Sequence, residues 1–127
     1  MSRLKQAFLA LFLIHVAIPS TSAAELVMFE SDACEWCDAW HAEIGPIYPK
    51  TGEGKIAPLR TVDIHATRPA DLTHVEGVRY TPTFVLLDDD GREVGRINGY
   101  PGEAFFWGML GEMIAKLPDA LEPLAET

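Results

Sequence analysis

The amino-acid sequence predicts an α/β domain built on a mixed sheet. Short apolar runs of strand length alternate with segments of helical spacing, and their order along the chain is βαβαββα. A helix joins the first two strands, which predicts a parallel pair. Only the polar turn Asp88-Asp89-Asp90-Gly91 separates the last two strands, which predicts an antiparallel hairpin. We therefore expect a four-stranded mixed sheet with helices on both faces.

Residues 1–24 have the features of a secretory signal peptide. Two basic residues stand near the start, residues 7–18 are apolar apart from His15, and small residues follow as far as Ala23-Ala24. An uncleaved membrane anchor is the weaker alternative, because a spanning helix needs about 20 apolar residues and this run has 12. We expect cleavage near Ala23-Ala24 and export to the periplasm.

The exported part of the chain is short and acidic. Removing residues 1–24 leaves 103 residues, enough for one domain over residues 25–118 and a tail over residues 119–127. The removed segment carries two of the ten basic residues and none of the 19 acidic ones, so the net charge becomes −11. A surface this acidic argues against nucleic acid or an anionic membrane as a partner.

The first half of the domain supplies two strands and one helix. Residues 25–30 are the first strand and residues 34–48 the first helix, which Gly45-Pro46 should kink or shorten because proline removes a backbone donor. Residues 59–64 are the second strand. Pro58 marks either the beginning of that strand or an exposed sheet edge.

The second half supplies the remaining elements. Before the second strand, residues 51–55 are expected to form a loop. After it, residues 69–75 are expected to form a short helix that begins at a proline. Residues 83–87 form the most apolar strand candidate of the chain, which is typical of a central strand covered on both faces. Residues 93–97 should return antiparallel beside it, and residues 103–117 form the last helix. The predicted core face of that helix contains Phe106, Met109, Leu110, Met113 and Leu117.

The two cysteines of the chain, Cys34 and Cys37, form a Cys-x-x-Cys at the junction of the first strand and the first helix. At a helix N-terminus the free N–H groups and the helix dipole stabilise an anion, so we expect Cys34 to be an exposed thiolate. Cys37 lies one turn further on. A disulfide across two residues closes a very small loop and stabilises little, which argues against a structural bridge and for a dithiol redox site.

The wider pattern resembles the thioredoxin superfamily over essentially the whole exported chain. A strand precedes the Cys-x-x-Cys, Tyr80-Thr81-Pro82-Thr83 leads into an apolar strand, and a Gly-Tyr follows the next strand. The resemblance implies a thiol–disulfide oxidoreductase without a cofactor, in which Cys34 attacks and Cys37 resolves. It also implies that Pro82 is cis and packs on the disulfide. On this resemblance, the residues expected to contact the substrate are Trp36, Thr81 and Pro82.

Two features depart from the usual thioredoxin pattern. The residues between the cysteines are Glu35-Trp36, and Glu35 with Asp32 and Asp38 places negative charge around Cys34, which partly offsets the effect of the helix terminus. Many thioredoxins carry a buried acid six residues before the first cysteine, and here Met28 holds that position. The proton acceptor for Cys37 is therefore unassigned, and the candidates are Asp38, His41 and water.

A finer resemblance is to the periplasmic thioredoxins of bacterial sulfur-oxidation (Sox) clusters, the SoxS type, on residues 28–41, 79–83 and 95–100. It implies a reductase that acts on the cysteine-bearing sulfur carrier and receives electrons from a membrane thiol transporter. We expect the protein to be a monomer. Oxidising members of the superfamily carry a large helical insertion before the Pro82 segment. Residues 48–80 leave no room for one, which disfavours an oxidase.

Two alternatives stay open: a general periplasmic thioredoxin with other clients, and a copper metallochaperone using Cys34, Cys37 and His41. These three residues share one helix face, but a tetrahedral metal would need a fourth ligand. Haem attachment is excluded because Asp38, not histidine, follows the second cysteine. The hairpin turn at residues 88–91 lacks the ligand spacing of a calcium loop. We expect neither a metal nor a cofactor.

Overall fold

The structure, a computed structural model, describes residues 23–118. The predicted tail and all but the last two residues of the predicted signal peptide lie outside the described residues. Two single 3₁₀ turns span Tyr48–Lys50 and Ala70–Leu72. The other elements, in chain order, are β1 (Glu25–Glu30), α1 (Glu35–Glu43), α2 (Gly52–Ile56), β2 (Leu59–Asp63), β3 (Thr83–Leu87), β4 (Glu93–Asn98) and α3 (Glu103–Ile114).

The four strands form one mixed sheet in the order β2-β1-β3-β4. β1 is parallel to β2 and antiparallel to β3, and β3 is antiparallel to β4, which confirms the predicted parallel pair and hairpin. β3 is central and fully buried, as expected. β2 begins at Leu59 and is an edge strand, so both interpretations of Pro58 agree with the structure. The register places Glu30 beside Asp63 at the carboxyl ends of β1 and β2, close to the start of α1.

One face of the sheet carries α1 and α3 and the larger part of the core. Trp40 of α1 lies at its centre, with its ring 5.3 Å from Phe84 and 5.7 Å from Phe106 between centroids. Aromatic contacts of this kind supply much of the apolar area that a small domain buries. α1 is therefore held against the sheet directly behind the cysteine motif.

The opposite face has a smaller core, and the helix expected over residues 69–75 is only the 3₁₀ turn there. Pro69 adopts an extended conformation (φ −54°, ψ 142°), so helical geometry begins one residue later and lasts a single turn. Leu72 and Val75 nevertheless pack against the sheet. The Arg68 guanidinium lies over the Phe29 ring, 4.5 Å from its centroid, and covers part of this face.

The connection from α1 to β2 differs from the prediction. α1 ends at Glu43, five residues before the predicted end, as the Gly45-Pro46 pair suggested. The expected loop over residues 51–55 is wrong, since α2 lies there. The two glycines of this segment argued against a helix. Thr51 nevertheless caps one, because its hydroxyl accepts the N–H of Gly54 at 3.0 Å.

The predicted core face of α3 is wrong at one residue. Met109 is 41% exposed, because 100° per residue places it at the margin of the stripe formed by Phe106, Leu110 and Met113. Trp107, on the other flank, stacks on Tyr48 with ring centroids 6.0 Å apart. Within residues 23–118, none of the helices has both the length and the apolar character needed to span a membrane.

Candidate active site

Cys34 occupies the N-cap position of α1, and its side chain takes part in the cap. Its Sγ accepts a hydrogen bond from the backbone N–H of Cys37 at 3.2 Å. The two cysteines form a disulfide with their Cα atoms 5.2 Å apart. Ala33, directly before them, has φ +56° and turns the chain sharply from β1 into the helix. The first sulfur therefore sits at the positive end of the helix dipole.

The expectation that Cys34 is exposed is wrong for this disulfide form. Cys34 is 7% exposed and Cys37 2%, and both belong to the larger core. In this form the Cys34 sulfur is bonded to Cys37 and also accepts its backbone N–H. Cys34 is still the more exposed residue of the pair. Trp36, between them, is 58% exposed and forms the most accessible apolar surface of the motif.

The segment before β3 lies beside the loop that leads into the cysteines. The peptide between Thr81 and Pro82 is cis, and Pro82 is buried. The Thr81 and Ser31 hydroxyls are hydrogen-bonded at 3.0 Å, which joins this segment to the residues just before Cys34. The Thr83 hydroxyl donates to the carbonyl of Tyr80 at 2.7 Å. Trp36, Thr81 and Pro82 thus lie on elements that meet at one end of the sheet.

A cleft of about 260 Å³ opens next to Cys37. His41 lies on its α1 side, and its Nε2 is 2.5 Å from Oε2 of Glu30, the last residue of β1. Because an ionised carboxylate only accepts, Nε2 is the protonated ring nitrogen. The residues that line the cleft are Glu30, Ser31, Asp32, Ala33, Cys37, Asp38, His41 and Asp63.

Sequence reasoning did not identify Glu30, Ser31 or Asp63 as parts of this site. Glu30 could have been found from the period of a strand, since side chains two residues apart share a face. Met28 faces α1, so Glu30 faces α1 as well. No pattern near Asp63 in the sequence predicts its place in the site, because it reaches the cleft only through the pairing of β1 with β2.

His41 does not form a three-ligand group with Cys34 and Cys37, because the donor atoms of the three do not all lie within 4.8 Å of one another, as the metallochaperone hypothesis requires. It is paired with Glu30, and the cysteine sulfurs are bonded to each other. Within the described part of the chain, the one group of three candidate ligands whose donor atoms lie within 4.8 Å of one another is Asp88, Asp89 and Asp90. There an oxygen of Asp88 accepts the N–H groups of Asp90 and Arg92 and closes the hairpin turn.

A larger cleft, of about 530 Å³, has neither cysteine in its lining. Its lining includes Arg60, which donates two hydrogen bonds to Asp71 at 2.6 and 3.0 Å. The hydrogen bond from Arg60 holds the pKa of Asp71 below its usual value. Since these charges already satisfy each other, and size alone does not make a site, we place the chemistry in the smaller cleft.

A hydrogen bond joins the segment between β4 and α3 to the end of α1. Tyr100, which follows β4, donates a hydrogen bond to the carboxylate of Glu43 at the end of α1. Burial, and then this hydrogen bond, raise the pKa of Tyr100, so the phenol stays protonated at neutral pH. The segment between β4 and α3 is thereby tied to the helix that carries the cysteines.

Comparison with known proteins gives one family. The thioredoxin-like domain family matches residues 16–114. The crystal structure of the periplasmic thioredoxin SoxS from Paracoccus pantotrophus, in its reduced form, is 44% identical, with a TM-score of 0.69 over 73% of this chain and 97% of that one. No significant match was found among proteins of curated function.

More distant structures share the fold alone. Fasciola hepatica thioredoxin is 22% identical, with a TM-score of 0.56 over 73% of this chain and 83% of that chain. Malassezia sympodialis thioredoxin is 20% identical, with a TM-score of 0.53 over 72% and 76% of the respective chains. With the Cys34–Cys37 disulfide at the start of α1, these relationships lead to one conclusion. The chain belongs to the thioredoxin-like family and is a thiol–disulfide oxidoreductase.

Proposed function

We propose that this oxidoreductase works as an exported disulfide reductase in which Cys34 is the nucleophile and Cys37 the resolving thiol. The observation that carries the assignment is the N-cap position of Cys34. Its sulfur accepts the N–H of Cys37, and the helix dipole favours negative charge on it. Cys37 lies one turn inside α1 and is the more buried of the two.

The reaction is two thiol–disulfide exchanges in sequence. The Cys34 thiolate attacks one sulfur of the client disulfide, an S–S bond forms between enzyme and client, and the other client sulfur leaves as a thiolate. The Cys37 thiolate then attacks Cys34 Sγ, which breaks the mixed disulfide and releases the second client thiolate. The client gains two electrons and the Cys34–Cys37 disulfide is restored.

Trp36, Thr81 and Pro82 are proposed to contact the client around Cys34. Trp36 exposes most of its indole between the two cysteines. Thr81 and Pro82 sit on the segment that hydrogen-bonds to Ser31 just before the motif. An exposed aromatic next to an irregular backbone segment suits an extended peptide, because the ring supplies apolar area and the backbone supplies hydrogen bonds.

The proposed location is the periplasm, and the proposed client is the cysteine-bearing sulfur carrier of sulfur oxidation. Support comes from the signal-like character of residues 1–24 and from the 44% identical relative, a periplasmic thioredoxin named SoxS. Because the periplasm is held oxidising, a reductase there needs a dedicated electron donor. We assign that role to a membrane thiol transporter and expect the protein to act as a monomer.

A trapping experiment tests this proposal. A Cys37→Ser variant expressed in its native periplasm should remain joined to its client through Cys34, and mass spectrometry of the adduct should name the sulfur carrier. The matched control is Cys34→Ser, which should trap nothing. Recovery of many unrelated proteins would instead indicate a general thioredoxin. If no adduct forms, or if Cys34→Ser forms the same adducts, the proposed order of attack is wrong.

A further inference from the structure

The resolving step depends on removal of a proton from Cys37. In the mixed disulfide Cys37 is a thiol, and only its thiolate can attack Cys34. In the disulfide form Cys37 is 2% exposed, so little of its surface contacts bulk solvent. A nearby base would therefore speed the step, as positioned acids and bases do in other enzymes.

The cleft beside Cys37 contains one imidazole among several carboxylates. His41 stands four residues after Cys37 on α1, and side chains at this spacing are neighbours, with about 5–6 Å between their Cβ atoms. The titratable groups that face the cleft, besides His41 and Cys37, are Glu30 from β1, Asp32 from the following loop, Asp38 from α1 and Asp63 from β2.

The pairing of His41 with Glu30 leaves the imidazole ready to accept a proton. Nε2 donates to the Glu30 carboxylate at 2.5 Å, so in the neutral ring Nδ1 carries the lone pair. A proton taken up at Nδ1 creates an imidazolium that the adjacent carboxylate stabilises. Two of the other carboxylates of the cleft fit less well. Asp38 directly follows Cys37 and so does not share its helix face, and Asp63 lies across on β2.

We propose that the Glu30–His41 pair is the proton acceptor for Cys37 during resolution. This deepens the proposed reductase function and rests on it. As Cys37 attacks Cys34, its S–H proton passes, directly or through one water, to Nδ1 of His41. The client thiolate leaves with the electrons of the broken S–S bond. The proton then returns to that thiolate or to solvent, so the enzyme ends the cycle as the disulfide with His41 neutral.

Stopped-flow reaction of the reduced protein with a neutral dipyridyl disulfide separates the two steps. The first pyridinethione released reports attack by Cys34, and the second reports resolution by Cys37. Glu30→Gln and His41→Gln should each slow the second phase at neutral pH by about tenfold or more. The first phase should be unchanged.

The pH profile distinguishes lost proton transfer from a general structural effect. Above the ordinary thiol pKa of about 8.5, hydroxide can deprotonate Cys37, so both variants should approach the wild-type rate. The double variant should be no slower than the slower single variant, because the two residues act as a unit. Glu112→Gln, which removes an exposed carboxylate of α3 that does not line the cleft, is the matched control and should follow the wild-type profile.

Three results would overturn the inference. In one, the second phase of both variants matches the wild type at all pH values. In another, the slowing is equal at all pH values. In the third, Asp38→Asn slows the second phase at neutral pH while Glu30→Gln does not. A wild-type protein that lacks even the first phase would overturn the reductase function and this inference with it, whereas a normal first phase confines the failure to the inference.

Discussion

At the scale of single residues, packing decides which glycines can be replaced by a larger residue. Gly52 and Gly54 stand two residues apart in α2. A Cβ built on Gly54 would lie 1.9 Å from the carbonyl oxygen of Tyr48, a backbone atom that cannot move aside. A Cβ on Gly52 would meet nothing within 4 Å. One glycine is thus required by packing, and the other is free to change.

The two glycines make a matched pair of predictions. Gly54→Ala should lower the free energy of unfolding by about 1–3 kcal/mol, the usual cost of overpacking a fitted site. Gly52→Ala should leave stability unchanged or raise it by about 0.5 kcal/mol, because alanine restricts the unfolded chain. Urea titration followed by tryptophan fluorescence measures both. Equal effects in the two variants would contradict the contact at Gly54.

At the scale of elements, Tyr48 joins three segments behind the cysteine helix. It begins the 3₁₀ turn after α1, its hydroxyl donates to the carbonyl of Ala57 at 2.7 Å, and its ring stacks on Trp107 of α3. Burial, with a smaller contribution from the charge of Glu53, raises the pKa of this phenol. The fold therefore requires the neutral form of Tyr48.

This linkage predicts a loss of stability in alkali. With a folded-state pKa above the unfolded value of about 10, the contribution of Tyr48 is complete below pH 10 and is lost as pH rises further. Tyr48→Phe should cost about 1 kcal/mol at pH 7, since the hydrogen bond to Ala57 is gone. It should also reduce the decline above pH 10. Chemical denaturation at pH 7, 9 and 11 tests this, and an undiminished decline in the variant would assign it to other groups.

At the scale of the whole molecule, acidic charge dominates the surface. The chain has 19 acidic and ten basic residues, a net charge of −9 with histidines neutral. Some of the basic groups are held in ion pairs, such as Arg60 with Asp71 and Arg96 with Glu93. Exposed pairs of this kind are worth little each, so repulsion among the unpaired carboxylates should be the larger effect.

We therefore predict that salt stabilises the fold at neutral pH. Raising NaCl from about 10 mM to 200 mM shortens the screening length from about 30 Å to less than 10 Å and should add about 1 kcal/mol, or about 4–8 °C in Tm. Differential scanning calorimetry measures the shift. The effect should shrink near the isoelectric point of about 4.7, which serves as the control. A fall of Tm with added salt at pH 7 would mean that the local ion pairs dominate.

The accuracy of the sequence predictions depended on how local each feature is. β1 and β3 were predicted with their observed bounds, because alternation and apolar runs are properties of neighbouring residues. α2 was missed, since two glycines in five residues argue locally against a helix that packing and a Thr51 cap create. The length of the helix after Pro69 was overestimated, because local residues favoured a helix that the folded chain limits to a single turn.

By itself, the sequence determined the order of the elements and the position of Cys34 and Cys37 at the beginning of a helix. Both follow from residues adjacent in the chain. Only the tertiary structure decided that Cys34 is buried in the disulfide form and that Glu30 pairs with His41 in a cleft with Cys37. Those contacts depend on how β1 packs beneath α1 and beside β2, and no local pattern specifies the distance between side chains so far apart in sequence.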